Sequence, residues 1–123
     1  LICVVEEPSD VLAIEAAHRY KGLYHVLHGL ISPMSGITME DIKLADLIER
    51  LNRSYVAEVI VATNPSVEGE GTFHYIEKLL MNGKFDTRVS RIALGIPMGG
   101  ELKYMDQVTL ASALRYRRIV KDK

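Results

Sequence analysis

Apolar and polar residues alternate along this chain in a pattern typical of α/β proteins. Four short apolar runs predict β-strands at 1–5, 23–27, 57–62 and 88–93. The first run is unbroken and rich in β-branched residues, which indicates a strand buried on both faces. Segments with helical spacing follow the strands, at 9–20, 38–51, 69–82 and 107–118. Strands that alternate with helices predict a parallel four-stranded sheet flanked by helices.

Capping residues and apolar stripes predict where the helices begin and end. Ser9 is expected to cap the first helix and Gly22 to end it, while Gly83 marks the end of the third. The segment 28–38, rich in Gly, Ser and Pro, predicts an ordered loop on the carboxyl side of the sheet. Each helix carries apolar residues at helical spacing: Leu12, Ala16 and Tyr20; Leu44, Leu47, Ile48 and Leu51; Phe73, Ile76 and Leu80; Leu110, Ala113 and Leu114.

The composition is that of a domain with a core of its own. The chain has 123 residues, of which 48% are apolar. It begins at Leu1, inside a predicted strand, so we expect it to be a fragment of a longer protein. No apolar run is long enough to span a membrane and no signal peptide is recognisable, which predicts a cytoplasmic protein. The single cysteine, Cys3, excludes an internal disulfide and a zinc site built from thiolates of this chain.

Charge is distributed unevenly along the chain. Residues 115–123 contain five basic side chains against Asp122, a net charge of +4, and the rest of the chain carries −5. An acidic body with a basic tail favours self-association or a basic protein partner over broad nucleic-acid binding. A solvated terminal tail explains the same pattern, so both interpretations stay open.

The candidate chemistry lies directly after the third predicted strand. Residues 62–70 resemble the Ala-Thr-Asp-Pro-Asp-Arg-Glu-Gly-Glu stretch of type IA topoisomerases, where a Toprim domain holds a metal ion with an Asp-x-Asp motif. In this chain Asn64 and Ser66 replace the two aspartates, and Val67 replaces the arginine. Glu68 and Glu70 are kept. The resemblance therefore implies a Toprim fold used for something other than metal-dependent chemistry.

A glutamate after the first strand completes the Toprim resemblance. Residues 6–10 resemble the Toprim Glu-Gly-x-x-Asp turn, with Glu7 in place of the glycine. In a doubly wound parallel sheet the first and third strands can be neighbours, and ligand groups collect at their carboxyl ends. We therefore expect Glu6 to lie beside Asn64 and Ser66. Asp10 is expected to cap the first helix or to orient Glu6.

These residues form a degenerate metal site. Mg²⁺ prefers hard oxygen ligands, commonly one or two carboxylates, and the neutral Asn64 and Ser66 remove two negative charges. Glu6 with Glu68 or Glu70 leaves weak Mg²⁺ binding open, but we predict no catalysis and no metal ion as a working cofactor. An active Toprim enzyme fragment, such as a topoisomerase, primase or nuclease, is the alternative, and it should have aspartate at both substituted positions.

The remaining acids predict a contact surface for a basic partner. This acidic patch consists of Glu6, Asp10, Glu68 and Glu70. A simpler explanation applies to Glu68 and Glu70, because carboxylates near the amino end of a helix are stabilising without any partner.

The last 28 residues predict an oligomerisation segment. We divide the chain into a domain at 1–95 and a carboxyl-terminal hinge and helix at 96–123. Gly99 and Gly100 favour a hinge over an anion-binding turn, and a helix appended after a hinge is a candidate for exchange between protomers. The residues expected to mediate self-association are Gly99, Gly100, Tyr104, Leu110 and Leu114.

Taken together, the motifs resemble the RecR family of bacterial recombination mediators. The matching runs are Cys3–Glu6, Gly22–Leu27, Ser32–Pro33, Gly36–Ile37, Ala62–Pro65, Glu68–Glu70 and Gly95–Leu102. In that family a helix-hairpin-helix DNA-binding motif and a four-cysteine zinc finger precede this region. The resemblance thus implies that zinc and the main DNA contacts belong to a part that this sequence lacks.

The same resemblance implies a role without catalysis. RecR-like proteins form dimers and tetrameric rings and work with RecO and RecF to load recombinase onto gapped single-stranded DNA. Weak DNA contacts in this chain are expected at Arg115, Arg117 and Arg118. A stand-alone oligomerisation module without a functional acidic patch is the second alternative.

Overall fold

Strands and helices follow one another along the described residues in the predicted order. The structure, a computed structural model, describes residues 1–32, 34, 36–38 and 42–123. The elements are β1 (Ile2–Val5), α1 (Pro8–Ala16), β2 (Leu23–Val26), α2 (Leu44–Arg53), β3 (Glu58–Val61), α3 (Val67–Asn82), β4 (Arg88–Arg91) and α4 (Gln107–Arg115), with a short 3₁₀ turn at Leu102–Tyr104. The chain divides into two compact units, Leu1–Ile92 and Ala93–Lys123.

The four strands form one parallel sheet in the order β2-β1-β3-β4. Val4 of β1 lies opposite His25 on one side and Val61 on the other. This order makes β1 and β3 the two central strands, so their carboxyl ends are neighbours. The predicted α/β fold with a parallel four-stranded sheet is confirmed.

The core lies between the central strands and helices α2 and α3. Its buried apolar residues are Ile2, Val4, Leu27, Ile42, Leu44, Leu47, Leu51, Val59, Val61, Ile76 and Leu80. The stripes predicted for the second and third helices are therefore core residues, with Ile48 and Phe73 partly buried at the margin. Cys3 is also buried, and that burial raises the pKa of its thiol to about 11.

Helix α1 departs from the prediction at both ends. It begins at Pro8, and its amino-terminal cap is Glu7 rather than Ser9. Proline fits the first turn because its missing N–H would have no partner there, and Asp10 accepts a hydrogen bond from the Glu7 N–H at 3.0 Å. The helix ends at Ala16, well before Gly22, because His18 adopts a left-handed conformation with φ of 53°.

The stripe predicted for α1 is not part of the core. No residue of α1 is buried, and Leu12 is 73% exposed. Tyr20 lies beyond the helix, where its hydroxyl donates to the Leu23 carbonyl at 2.7 Å and its ring meets Tyr24 edge-on. Spacing alone thus identified a helix, but it did not show whether the apolar face of that helix is buried.

Helix α2 begins six residues later than predicted, at Leu44, and it ends at Arg53. Part of the predicted start, residues 39–41, lies outside the described residues. The buried imidazole of His25 fixes this boundary, since its Nε2 bonds the Lys43 carbonyl at 2.7 Å. Arg50 Nη1 lies 3.2 Å from Nδ1 of the same ring and donates to the Tyr24 carbonyl at 2.8 Å. Two directional links therefore attach α2 to β2.

The other boundaries differ by a few residues. Helix α3 begins two residues earlier than predicted because Ser66 caps it, and Gly83 ends it as expected. Helix α4 ends at Arg115, three residues early. The strands are one or two residues shorter than their apolar runs. None of the helices in the described parts of the chain is long and apolar enough to cross a membrane.

The smaller unit, Ala93–Lys123, has no buried residue, and the structure describes all of it. Its order comes from local hydrogen bonds. Gly99 has φ of 87°, a conformation that favours glycine, and the Gly100 N–H donates to the Pro97 carbonyl at 3.1 Å. Asp106 caps α4 by accepting from the Thr109 N–H at 3.1 Å, and this bonding to Thr109 lowers the pKa of the carboxyl.

Candidate functional site

Glu6 and Asn64 meet at the carboxyl edge of the sheet, just beyond the ends of β1 and β3. Asn64 Nδ2 donates to Glu6 Oε1 at 2.8 Å, and the Asn64 backbone N–H donates to the same oxygen at 3.2 Å. The expected proximity of these two residues is therefore present, as a direct hydrogen-bonded contact. We call this two-bond arrangement the Glu6–Asn64 clasp.

Ser66 is near the clasp in sequence but serves α3. Its hydroxyl accepts from the Gly69 N–H at 3.0 Å, the usual role of serine at a helix amino terminus. Thr63, which is buried, donates from Oγ1 to the Gly69 carbonyl at 2.9 Å. The N–H and the carbonyl of Gly69 are therefore both hydrogen-bonded to side chains that precede α3, which holds the first turn of the helix in place.

Gly69 permits this close approach because it has no side chain. A Cβ atom built on it would lie 1.8 Å from the carbonyl oxygen of Asn64, a contact that backbone atoms cannot relieve without moving. The glycine between the two kept glutamates is thus required by the packing of α3 onto the residue that forms the clasp.

The two kept glutamates have different surroundings. Glu68 is exposed. Glu70 is half-buried, and its Oε1 pairs with Arg91 Nη2 at 2.6 Å. Compensation by Arg91 means that Glu70 is not a free carboxylate of the acidic patch, which changes what the patch can offer a partner.

Arg91 is a site residue that the sequence did not reveal. Its side chain is only 16% exposed, it donates from Nη1 to the Val61 carbonyl at 2.9 Å, and its guanidinium lies 5.5 Å from the Phe73 ring centroid. One side chain thereby joins the ends of β3 and β4 to α3. A basic residue inside the fourth predicted strand was the available signal, but its partner became apparent only from the strand order.

Thr72 connects the loop after β2 to the same helix. Its hydroxyl donates to the Glu68 carbonyl at 2.7 Å and accepts from the Ile31 N–H at 3.0 Å. The loop is joined to β1 as well, because the Gly29 N–H donates to the Glu6 carbonyl at 3.2 Å. The described part of the predicted loop is therefore hydrogen-bonded at the carboxyl edge of the sheet, beside the clasp.

A Toprim frame implies a divalent cation, and the residues at this edge do not fit one. Among the residues that the structure describes, no three His, Cys, Asp or Glu side chains come close enough together to hold a metal ion. The amide of Asn64 directs a donor, not a lone pair, at Glu6. The Ser66 hydroxyl and the Glu70 carboxylate accept bonds from Gly69 and Arg91. A magnesium site needs several oxygen ligands directed at one point.

The residues predicted for self-association and DNA lie in the smaller unit. Leu110 is half-buried, Leu114 is 66% exposed, and Tyr104 is exposed beside Lys103, whose Nζ lies 5.2 Å from its ring centroid. The Arg117 guanidinium donates to the Leu114 carbonyl at 2.9 Å, at the carboxyl end of α4. The three predicted DNA contacts, Arg115, Arg117 and Arg118, are all exposed.

Two family models account for nearly the whole chain. Residues 1–93 match the Toprim domain, and residues 95–118 match the RecR C-terminal region. The chain therefore belongs to the Toprim domain family. The second match, directly after the first, confirms the resemblance to RecR and indicates a role in recombination.

Proposed function

We propose that this chain is the non-catalytic Toprim and carboxyl-terminal part of a recombination mediator that acts with RecO and RecF. In this proposal it forms the scaffold of a DNA clamp that helps load recombinase onto gapped single-stranded DNA. The observation that carries the proposal is the match to a RecR C-terminal region directly after a Toprim domain. An amide at Asn64 that donates to Glu6, and a hydroxyl at Ser66 that caps α3, where two carboxylates would hold a metal ion, support a scaffold rather than an enzyme.

The partner surface in this proposal is the acidic patch, with Glu68 as its principal contact. Glu68 is exposed, whereas Glu70 is paired with Arg91 and Asp10 accepts from the Glu7 N–H. Glu6 and Asp10 add negative charge at the same edge. Attraction of this kind steers a basic partner and weakens as salt is added.

A pull-down with purified RecO and RecF tests the patch. Glu68→Ala should weaken the complex while the far-UV CD spectrum is unchanged, and added salt should weaken the unmodified complex. Glu77→Ala is the matched control, since Glu77 is also an acid of α3, lies about two and a half turns away, and has its Oε1 3.7 Å from His74 Nδ1. Equal binding by both variants would remove the patch from the proposal.

Loss of recombinase loading tests the wider role. In the full-length protein, Glu68→Ala should slow loading onto gapped DNA coated with single-strand-binding protein, and Glu77→Ala should not. Unchanged loading together with weakened partner binding would separate the contact from the function. Mg²⁺-dependent DNA cleavage that Glu6→Gln abolishes would instead support the alternative, an active Toprim enzyme.

In the same proposal, the smaller unit mediates self-association and contributes weak DNA contacts. We infer that the segment containing Gly99, Gly100, Tyr104, Leu110 and Leu114 joins protomers into a dimer or tetramer, with the last helix exchanged between them. DNA is held mainly by the amino-terminal part of the whole protein. Here Arg115, Arg117 and Arg118 offer weak phosphate contacts, so changing all three to Gln should reduce the salt dependence of residual DNA binding by roughly 0.7–0.9 in log–log slope per arginine.

A further inference from the structure

We propose that the Glu6–Asn64 clasp occupies the place of a divalent cation and makes this edge of the sheet stable without metal. Asn64 would then be the residue that decides whether the Toprim frame takes up Mg²⁺. The proposal does not depend on a mediator role or on any partner protein, because it concerns contacts within one chain.

The chemistry of the clasp follows from what each group can do. An ionised carboxylate only accepts hydrogen bonds, so the amide of Asn64 must face Glu6 with its NH₂ group, at 2.8 Å. The backbone N–H of Asn64 supplies a second donor to the same oxygen at 3.2 Å. Two donors thus stabilise the Glu6 charge, as a cation would.

An aspartate at position 64 would reverse this balance. Two carboxylates at hydrogen-bond distance repel one another, and one of them must take up a proton or both must share a cation. The Toprim sequence that residues 62–70 resemble has aspartate there. The single change from carboxylate to amide therefore converts a pair that needs a cation into a pair that is complete on its own.

Two neighbouring contacts close the other sides of the frame. The Ser66 hydroxyl, at the second substituted position, accepts from the Gly69 N–H at 3.0 Å. Glu70 accepts from Arg91 at 2.6 Å. Of the five residues of the predicted metal site, Glu6, Ser66 and Glu70 thus already accept hydrogen bonds from donors of the protein itself. Weak Mg²⁺ binding, which the sequence left open, is therefore not expected.

Thermal unfolding of the 123-residue chain in EDTA and in millimolar MgCl₂ tests the proposal, with NaCl at matched ionic strength as the salt control. The unmodified chain should have the same Tm in both. Because Asn64 is exposed and water screens the repulsion there, Asn64→Asp should lower the Tm in EDTA by about 2–4 °C and recover part of that loss as MgCl₂ is raised. Mn²⁺ titration followed by electron paramagnetic resonance should detect binding to this variant and none to the unmodified chain.

Two further variants separate charge from simple loss of the amide. Asn64→Leu should also lower the Tm, because a donor is lost, but without any response to MgCl₂. Glu6→Gln combined with Asn64→Asp should recover much of the Tm that Asn64→Asp loses in EDTA, because it removes the like charge and the new amide at position 6 can donate to the new carboxylate at position 64.

The outcomes divide cleanly. An unmodified chain that gains stability from MgCl₂ beyond the NaCl control, or that binds Mn²⁺, would overturn the proposal. So would an Asn64→Asp variant as stable as the unmodified chain in EDTA. If Asn64→Asp fails to fold in either buffer, the exchanged double variant decides, since its folding supports the clasp and its failure refutes it.

Discussion

The two units of this chain differ in the contacts that stabilise each of them internally. The Toprim unit, Leu1–Ile92, has a buried apolar core and directional hydrogen bonds that join the strand ends to α2 and α3. The smaller unit, Ala93–Lys123, has no buried residue and is ordered by caps and turns. Its exposed large apolar residues include Met98, Leu102, Tyr104, Val108, Leu114, Ile119 and Val120.

The difference indicates where each unit obtains its stability. Burial of apolar area supplies most of the favourable free energy of folding, and only the Toprim unit has such burial within its own residues. An apolar surface as extensive as that of the smaller unit usually marks a contact with another molecule. This contrast supports the proposal that the carboxyl-terminal segment is covered when protomers associate.

Replacement of Gly69 should have the largest effect on the Toprim unit. In Gly69→Ala the new Cβ would lie 1.8 Å from the Asn64 carbonyl oxygen, so α3 must move away from the strand ends, at a cost of about 3 kcal/mol or more. Denaturant unfolding measures the loss. Gly71→Ala is the matched control in the same helix, since no atom lies within 4 Å of its Cβ position. This variant should raise the free energy of unfolding by about 0.5–1 kcal/mol.

Loss of the Arg91 side chain should have the next largest effect. Arg91→Met leaves the half-buried Glu70 carboxylate without its partner and removes a donor from the Val61 carbonyl, which should lower the free energy of unfolding by about 1–3 kcal/mol. Arg53→Met is the control, because Arg53 pairs with Glu49 at an exposed position and such pairs contribute about 0–1 kcal/mol. Equal losses in the two variants would contradict the special role of Arg91.

Acidification should destabilise the Toprim unit through His25. Burial lowers the pKa of this imidazole, and Arg50 can only donate, so Nδ1 must accept from it and the ring is neutral. The unfolded chain therefore binds the proton more readily. The contribution of His25 to the free energy of unfolding is fully present above the ordinary histidine pKa of about 6.5. It declines as the pH falls below that value, by at most about 1.4 kcal/mol per pH unit.

Replacement of the imidazole checks this pH dependence. Urea unfolding at several pH values should give a smaller decline for His25→Gln than for the unmodified chain over the same acidic range. An identical decline in both would assign the acid sensitivity to other groups.

Removal of the carboxyl-terminal segment should have the smallest effect on the folding of the Toprim unit. A chain that ends at Gly95 retains every buried residue of the core, so its free energy of unfolding as a monomer should stay within about 0.5 kcal/mol of that of an intact monomer. Light scattering should show that the shortened chain is monomeric. Leu110→Ser with Leu114→Ser should give the same result at full length, and a persistent dimer in both would place the interface elsewhere.

Sequence reasoning succeeded where a single local signal decided the outcome. Apolar runs located all four strands, and Gly83 located the end of α3, because burial and chain reversal act on neighbouring residues. The proximity of Glu6 and Asn64 needed one further rule, that ligand groups collect at the carboxyl ends of adjacent parallel strands. That rule applied because β1 and β3 are in fact neighbours.

The sequence could not reveal contacts that depend on exact distances between distant segments. Glu70 and Arg91 are separated by 21 positions, and only the order of β3 and β4 brings them together. The bonds of His25 to Lys43 and Arg50 likewise depend on where α2 packs. Helix α1 shows the limit of a purely local signal. Its apolar residues have helical spacing, but none of its residues is buried.

The position of Cys3 makes its thiol a probe of how often the sheet opens. Its thiol lies in a central strand of the sheet, is buried, and has a pKa of about 11, so thiolate, the form that reacts with alkylating and disulfide reagents, is scarce in the native state. Labelling should therefore proceed only when the sheet opens, at a rate that reports the opening equilibrium when closing is fast. No other cysteine competes for the reagent, so the native sequence can report how often the Toprim unit opens, without any added probe.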